Sequence, residues 1–377
     1  MNRRQWLQRS GAALAGALAL PSLVVPEPLY ALRADAPETI RARLHSNENP
    51  YGPFPSARKA MMEAFEEGCR YPSRNYPELI EQIARKEGVT PEHIVLGAGS
   101  HEILRVCAMA YGLEGGEILI PYPTFEGLEA YAHTIHADVH RVPLTEDFQL
   151  DLDEMDRRTT HAIRLVFVCN PNNPTGTIVP GDRLKDFCSA VSRCTPVLVD
   201  EAYHEYVQHP AYASMTDLVK AGEHVIVSRT FSKIYGLAGL RVGYALARPD
   251  IAERLRRYLT RHSVNILGLR AAIASYQDRA YQELSRKKNE EVRAWLYRHF
   301  DRLNLRHLPS ETNFVFFHLG FPVTSFREAM AQRGILVGRP FPPYLNWCRV
   351  STATMEEMKC FTEALPEVLE SFNAPAH

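Results

Sequence analysis

The chain has 377 residues, with 43 lysines and arginines against 44 aspartates and glutamates, so its formal net charge is −1. That balance gives no electrostatic field for a polyanionic partner and argues against nucleic-acid binding. Hydrophobic residues at 45% and charged residues at 23% match globular proteins and exclude a disordered or fibrous chain. The length allows about two or three domains. The seven cysteines show no CxxC or zinc-ligand spacing, so the sequence predicts no disulfide framework and no metal site.

Residues 1–36 have the pattern of a bacterial signal peptide. Arg3 and Arg4 precede an apolar, alanine-rich run, and a small-residue cleavage site follows at 34–36 or after Ala31. Because a membrane span takes about 20 apolar residues and no segment is that long, the sequence predicts no stable membrane anchor. The arginine pair resembles a twin-arginine signal, which implies export by the twin-arginine machinery to the periplasm or the medium. A basic N-terminus without export function, on a cytoplasmic protein, is the alternative.

The remainder of the chain divides by pattern into an arm and two larger units. Residues 37–75 are rich in Pro, Asn and Tyr, which predicts an extended arm with one short helix. From 76 to 265, short apolar runs alternate with helical patterns, which predicts a large domain with a parallel sheet covered by helices on both faces. In such sheets ligands bind beyond the carboxyl ends of the strands. The predicted strands are 94–96, 117–120, 165–168, 197–199 and 225–227.

The last part of the sequence, residues 266–377, predicts a linker helix and a small C-terminal domain. One long amphipathic helix is expected from about 269 to 300. Beyond it, the pattern predicts strands at 313–317, 334–337 and 348–351, and helices at 326–331 and 355–372.

Three of the predicted strands are each followed by residues that carry chemistry. Asn173 follows the strand predicted at 165–168, Asp200 and Tyr203 follow that at 197–199, and Lys233 follows that at 225–227. The steps from Asn173 to Asp200 and from Asp200 to Lys233 are 27 and 33 residues, each about one strand–helix unit. An amide, a carboxylate, a phenol and an amine therefore meet at one edge of one sheet. Arg241 comes eight positions after the lysine.

These motifs, in this order, resemble the class I/II aminotransferases that depend on pyridoxal 5'-phosphate, nearest the histidinol-phosphate aminotransferase group. The resemblance covers nearly everything after residue 40, and although each motif alone is weak, the ordered set is specific. It implies an α/β fold of type I, with a mostly parallel seven-stranded sheet between helices in the large domain and a smaller α+β domain. It also implies transfer of an amino group between an L-amino acid and a 2-oxo acid by a homodimer with shared active sites.

The resemblance implies that five residues bind the aldehyde and the ring of the cofactor. Lys233 binds the cofactor's aldehyde covalently and then moves a proton. Asp200 pairs with the pyridine nitrogen and keeps it protonated. Tyr203 and Asn173 bind the phenolic oxygen of the ring, and Phe125 stacks on its face.

The resemblance also implies that hydrogen-bond donors from several segments of the chain bind the phosphate of the cofactor. A helix that begins after a glycine-rich turn offers backbone amides to the anion, and hydroxyl groups and a guanidinium surround it. Many relatives have an acidic residue at the position of His101, so the role of that side chain stays open. One tyrosine of the set is expected to reach the phosphate of the neighbouring subunit. The assigned residues are Gly99, Ser100, His101, Thr230, Ser232, Arg241 and, from the neighbour, Tyr71.

The substrate is assigned to Arg349, which by the resemblance binds the α-carboxylate through two hydrogen bonds. Asn173 also faces the substrate, while Asn47 and Tyr51 in the arm either approach it or serve only in turns and packing. Histidinol-phosphate enzymes commonly have an arginine in the stretch that reads Ala353 to Glu357 here, so one cation for a phosphorylated substrate is missing. Arg339 is a candidate replacement.

Two other function classes remain open at the sequence level. A decarboxylase or a β-eliminating lyase would use the same Lys233, Asp200 and Arg349, and sequence does not reveal which Cα bond is broken. A non-catalytic regulator with an aminotransferase-like body is the third class. Such regulators carry an N-terminal winged-helix segment, and the residues before the arm are too few to form one. The sequence therefore favours an aminotransferase whose amino acid it does not name.

Overall fold

A computed structural model describes residues 39–113 and 115–373 of the chain. The predicted twin-arginine signal, residues 1–36, lies outside these residues, and export stays a prediction. Within the described residues, no helix has the length and apolar character needed to cross a membrane. In the same part of the chain, no group of three or more histidine, cysteine, aspartate or glutamate side chains is placed to hold a metal ion.

Strands and helices alternate along the chain. The strands are β1 (Ala42–Leu44), β2 (Ile94–Gly97), β3 (Glu117–Tyr122), β4 (Val139–Pro143), β5 (Ile163–Cys169), β6 (Val197–Asp200), β7 (Val225–Thr230), β8 (Gly243–Ala247), β9 (Phe314–His318), β10 (Ile335–Val337) and β11 (Trp347–Ser351). The α-helices are α1 (Pro55–Glu63), α2 (Asn75–Glu87), α3 (Ser100–Gly112), α4 (Gly127–Thr134), α5 (Leu152–Arg158), α6 (Gly181–Val191), α7 (Thr216–Lys220), α8 (Pro249–Arg256), α9 (Ile266–Gln277), α10 (Arg279–Arg302), α11 (Val323–Gln332) and α12 (Met355–Asn373). Every strand predicted from the sequence is present, and α1 is the short helix expected in the arm.

The predicted mostly parallel, seven-stranded sheet is confirmed, with the strand order β2-β8-β7-β6-β5-β3-β4. Alternate residues of its central strands enter separate hydrophobic clusters. Val166 and Val168 of β5 pack into one cluster and Leu165 and Phe167 into the other. Because successive side chains of a strand point to opposite faces, the sheet is buried on both sides.

Strand β8 was not predicted, and it is the one strand of this sheet that runs against its neighbours. Its first residue, Gly243, pairs with Gly97 at the end of β2 and with Thr230 at the end of β7. An antiparallel strand begins at the edge where the parallel strands end. The reversal therefore brings Arg241, two residues before β8, to the carboxyl edge of the sheet.

Two small sheets lie outside the large one. Strands β9 and β11 pair antiparallel, and β1 of the arm pairs parallel with β10. Their side chains share a third hydrophobic cluster with helices α10 to α12. This is the smaller α+β part that the sequence led us to expect, whereas the exact domain bounds at residues 76 and 266 stay predictions.

The single long helix predicted at 269–300 is wrong, because Asp278 divides it into α9 and α10. The backbone of Asp278 is not helical (φ −80°, ψ 72°), and its carboxylate accepts the Tyr281 amide at the start of α10. The same carboxylate accepts the Ser56 hydroxyl at 2.6 Å. An aspartate that caps the second helix interrupts the first, although the amphipathic pattern continues through both.

Removal of this cap is expected to destabilise the fold. Asp278→Ala should lower the free energy of unfolding by about 1 to 2 kcal/mol, because it leaves the Tyr281 amide and the Ser56 hydroxyl without their acceptor. Asp278→Asn keeps an acceptor oxygen and should lose less than half of that. Urea unfolding of the three proteins measures the difference, and an alanine variant as stable as the wild type would contradict the capping role.

Candidate active site

Asp200 lies at the end of β6, between Cys169 of β5 and Ser228 of β7 in the register of the sheet. Its side chain is 1% exposed, and its Oδ1 atom has no hydrogen-bond partner among the described residues. Burial raises the pKa of the carboxyl group to about 7. An unpaired buried acceptor of this kind is costly unless a ligand supplies the donor.

Lys233 lies three residues past the end of β7, and its amine faces the arm. The Nζ atom donates to the backbone oxygens of Ser46 at 3.3 Å and Asn47 at 3.0 Å. It also lies 5.6 Å from the centre of the Tyr203 ring. Desolvation, followed by the positive charge of Arg349, lowers the pKa of Lys233 to about 7. The amine is therefore substantially uncharged at neutral pH, as a nucleophile or base must be.

Tyr203 is bound by the arm rather than by the sheet. Its hydroxyl accepts the side-chain amide of Asn47 at 3.0 Å. Asn47 in turn accepts the Ser351 hydroxyl and donates its backbone amide to it, both at 2.8 Å. Burial raises the pKa of Tyr203 well above its usual range, so it remains a neutral hydrogen-bond donor. Of the two arm residues predicted to approach the substrate, Asn47 is thus placed beside Tyr203.

Arg349 is 7% exposed and lies at the centre of β11. Its guanidinium donates to Oδ1 of Asn173 at 2.7 Å and to the backbone oxygen of His45 at 2.6 Å. The buried Nε atom has no partner among the described residues. The guanidinium carbon lies 4.9 Å from the Phe341 ring centre and 5.4 Å from that of Phe314. A buried cation with a free donor and apolar walls suits a carboxylate.

Arg241, Ser232 and Thr230 form a connected group of donors. Arg241 donates to the Ser232 hydroxyl at 3.2 Å, and the Thr230 hydroxyl donates to Ser232 at 3.0 Å. Gly99, before the first residue of α3, has φ +77°, and a Cβ atom there would lie 2.3 Å from Nη2 of Arg241. Only glycine lets the guanidinium reach the N-terminus of that helix, where backbone amides favour an anion. Ser100 is the first residue of α3.

His101 and Phe125 stack on each other, with ring centres 5.2 Å apart and an interplanar angle of 27°. Burial, together with the charges of Arg241 and Lys233, lowers the pKa of His101 to about 4. The imidazole is therefore neutral at physiological pH and adds no charge to the anion site. The structure places it as a flat, uncharged ring beside Phe125.

Two of the residues predicted from the sequence do not contact the other site residues in the described chain. Tyr71 is 83% exposed, and its ring lies 5.3 Å from that of His262. Burial raises the pKa of the Tyr51 phenol, and no hydrogen bond joins that phenol to the other site residues in the described part of the chain. The role of Tyr51 toward the substrate stays a prediction.

Sequence reasoning missed three contributors. His45 and Ser46 act through their backbone oxygens, which no side-chain motif reveals. Ser351 anchors Asn47 through its hydroxyl, and its position two residues after Arg349 on the same strand was the available clue.

The arrangement fits pyridoxal phosphate. The unpartnered Asp200 oxygen suits a protonated ring nitrogen, and the uncharged Lys233 amine suits an aldehyde. The glycine turn and the Arg241 group suit the phosphate.

The raised pKa of Asp200 predicts a pH-dependent stability of the cofactor-free protein. The folded state holds the proton more tightly than the unfolded chain, so wild-type stability falls as pH rises from 3.8, the ordinary pKa, to about 7. An asparagine at this position does not titrate, so the stability of the variant does not fall in this way with pH. The stability gained by Asp200→Asn should therefore be about 2 to 3 kcal/mol larger at pH 8 than at pH 5.

Urea unfolding at the two pH values measures this difference. Asp217→Asn is the matched control, because Asp217 is 73% exposed and should give equal results at both. A stability difference for Asp200→Asn that does not change with pH would contradict the buried, protonated carboxyl group.

Comparison with known proteins agrees with this geometry. Residues 40–365 match the family model described as aminotransferase class I and II. The chain is 41% identical over 330 residues to a histidinol-phosphate aminotransferase of Moorella thermoacetica, across 87% of this chain and 85% of that protein. It is 39% identical over 311 residues to an aromatic amino acid aminotransferase of Thermobifida fusca, across 81% and 84% of the two chains. The solved histidinol-phosphate aminotransferase from Sinorhizobium meliloti, in complex with pyridoxal-5'-phosphate, superposes with a TM-score of 0.83 at 30% identity, over 88% and 92% of the chains.

The match spans nearly the whole described structure, including both the large sheet and the C-terminal part. The chain therefore belongs to the class I and II aminotransferases, and it is a pyridoxal-phosphate-dependent aminotransferase of fold type I.

Proposed function

We propose that this aminotransferase takes its amino group from L-amino acids with an uncharged aromatic or imidazole side chain and passes it to a 2-oxo acid. The observation that carries the proposal is Arg349, a buried cation with a free donor between the rings of Phe341 and Phe314. A carboxylate is the natural partner of the guanidinium, and flat side chains suit the aromatic walls. The names of the relatives, which concern histidinol phosphate and aromatic amino acids, point to the same side-chain shapes.

In the proposed reaction Arg349 orients the substrate. Its two bonds to Asn173 and His45 hold the guanidinium plane, so the substrate carboxylate meets a preorganised partner. The buried surroundings exclude water and strengthen the ion pair. The amino group and Cα of the substrate are then directed toward Lys233, whose pKa the same arginine lowers.

Lys233 is the base of the proposed mechanism. When bound, pyridoxal phosphate supplies an aldehyde that takes up the amino group and a ring that stabilises the electron pair left at Cα. The Lys233 amine, uncharged near pH 7, accepts the proton from Cα. Asp200 would stabilise the positive charge of the ring nitrogen, and Tyr203, whose hydroxyl is oriented by Asn47, would donate to the phenolic oxygen of the ring.

The first residue of the helix after Arg349 is not a cation. Met355, where histidinol-phosphate enzymes commonly have an arginine, begins α12 and packs against the cluster of the C-terminal part. A phosphate group would therefore lack one of the partners it has in those enzymes. This favours a carboxylate over a phosphate ester next to Arg349.

The proposal predicts which compounds react with the holoenzyme. L-Phenylalanine or L-histidine, added without any oxo acid, should change the visible absorbance of the bound cofactor, whereas phenethylamine, which lacks the carboxylate, should react far more slowly. Arg349→Gln should lower kcat/KM for the reacting amino acid by about 100-fold, because a buried carboxylate loses its partner.

Arg333→Gln provides the control, since Arg333 bonds to the backbone oxygen of Ala329 in α11 and pairs with Glu367 of α12, away from the site. A phenethylamine reaction as fast as that of L-phenylalanine would contradict the role of Arg349. Reaction with neither aromatic amino acid would contradict the proposed substrate class.

We also propose that the protein is a homodimer whose contact surface includes the end of α1 and the segment that follows it. Three apolar side chains within ten residues are strongly exposed there: Met62 (78%), Phe65 (69%) and Tyr71 (83%). Exposed apolar patches of this kind are typical of protein interfaces. A second copy would bury them and would give Tyr71 a phosphate group to bind, as the family resemblance implies.

Light scattering after size-exclusion chromatography tests the dimer. The expected mass is about twice that of one chain, and Phe65→Asp should shift the protein toward the monomer. Leu113→Asp, which places the same charge on a residue that is 39% exposed outside this patch, should leave the mass unchanged. A monomeric wild-type protein would contradict the proposal.

A further inference from the structure

A second arginine lies beside the proposed carboxylate site. The guanidinium carbon of Arg339 is 4.2 Å from the centre of the Phe341 ring, and that of Arg349 is 4.9 Å from the same ring. The positive charge of Arg339 contributes to lowering the pKa of Arg349, which is therefore within its electrostatic reach. A substrate bound to Arg349 would sense both charges.

The charge of Arg339 is already matched within the chain. Its Nη2 atom donates to the carboxylate of Glu126, and its Nη1 atom donates to the backbone oxygen of Pro340 at 2.9 Å. Glu126 directly follows Phe125 and precedes α4, so the ion pair joins the large-sheet side of the site to the loop before β11. In the described part of the chain, the Glu126 carboxylate bonds to Arg339 alone.

The ion pair between Arg339 and Glu126 is weak enough for a substrate anion to replace the Glu126 carboxylate. The side chains of Arg339 and Glu126 are 41% and 46% exposed, and ion pairs with that degree of exposure contribute only about 0 to 1 kcal/mol. An anionic group of a substrate could take the place of Glu126 on Arg339. It would then lie close to the displaced carboxylate, and the repulsion between the two like charges would reduce the gain.

We propose that Glu126 is a specificity-determining residue: by holding Arg339 it disfavours substrates with a second negative charge and favours amino acids with a single carboxylate. This inference rests on the proposed function, because it assumes that Arg349 binds the first carboxylate. A substrate with an uncharged side chain leaves the Glu126–Arg339 pair intact and loses nothing. A phosphate ester or a dicarboxylate must break the pair or remain beside Glu126.

The test compares histidinol phosphate, whose phosphate can carry two negative charges, with L-phenylalanine, which carries one carboxylate. The quantity measured is the ratio of kcat/KM for histidinol phosphate to kcat/KM for L-phenylalanine. In Glu126→Gln this ratio should rise about tenfold. Most of the change should be a lower KM for histidinol phosphate, because the repulsion by Glu126 acts when the substrate binds. L-Glutamate in place of histidinol phosphate should show the same direction.

Two further variants separate this role from a general structural effect. Glu78→Gln is the matched control, since Glu78 is also 46% exposed and paired with an arginine, Arg270, and it should leave the ratio unchanged. Arg339→Gln should lower the ratio. Adding Glu126→Gln to it should raise the ratio by less than Glu126→Gln does alone, because the repulsion by Glu126 is removed but Arg339 is no longer there to be released.

A ratio that stays at the wild-type value or falls in Glu126→Gln would overturn the inference. If L-phenylalanine is a substrate and the ratio does not change, only the inference fails. If no amino acid with an uncharged side chain reacts with the wild-type holoenzyme, the proposed function itself fails. The two failures are therefore distinguishable in one set of assays.

Discussion

The loss of water around Asp200 and Lys233 is the physical constraint on which the rest of the site depends. Both groups lie at the carboxyl edge of the seven-stranded sheet, and burial moves the pKa of each to about 7, one upward and one downward. In water the amine would be protonated at neutral pH and could act neither as nucleophile nor as base, and the carboxylate would be satisfied by solvent. Within the fold, the carboxyl group needs a cationic partner and the amine is free to react, which is the state that cofactor chemistry requires.

The arm supplies the second half of this environment. Strand β1 fixes the arm by pairing with β10, and the chain then passes directly over the lysine. Ser46 and Asn47 present their backbone oxygens to the amine, and His45 presents its own to Arg349. Three consecutive arm residues therefore position the reacting amine and the substrate-binding guanidinium relative to each other.

Contacts between distant segments explain how one site can combine catalysis with substrate choice. Asn173, after β5, bonds to Arg349 of β11, and Glu126, before α4, bonds to Arg339 of the loop that precedes β11. Both contacts join the large sheet to the C-terminal part. A change in the position of the C-terminal part would alter carboxylate binding and the Glu126–Arg339 pair together.

Much of the fold and the centre of the site could be predicted because they follow from local pattern. The buried strands read as apolar runs, and Asp200 and Lys233 follow two of them directly. The break at Asp278 was missed because one capping aspartate interrupts an amphipathic pattern that continues on both sides. Strand β8 was missed because its reversal depends on the whole sheet.

Other features had no local sequence pattern at all. The arm binds Lys233 and Arg349 through backbone oxygens, which every residue type has. Glu126 and Arg339 are 213 residues apart, and only the folded chain makes them neighbours. Such contacts depend on tertiary packing, so the motifs that identify the chemistry do not reveal them.

We expect the partly buried Lys233 amine to be the group that binds the cofactor. Borohydride reduction of the holoenzyme turns a bond between a lysine and the cofactor into a stable secondary amine, which mass spectrometry of the digested protein can locate. The added mass should lie on the peptide that contains Lys233 and should be absent from Lys233→Ala. Lys220→Ala, which removes a lysine that is 41% exposed, should retain it. Added mass on another lysine, or none in a wild-type protein that contains the cofactor, would contradict the account.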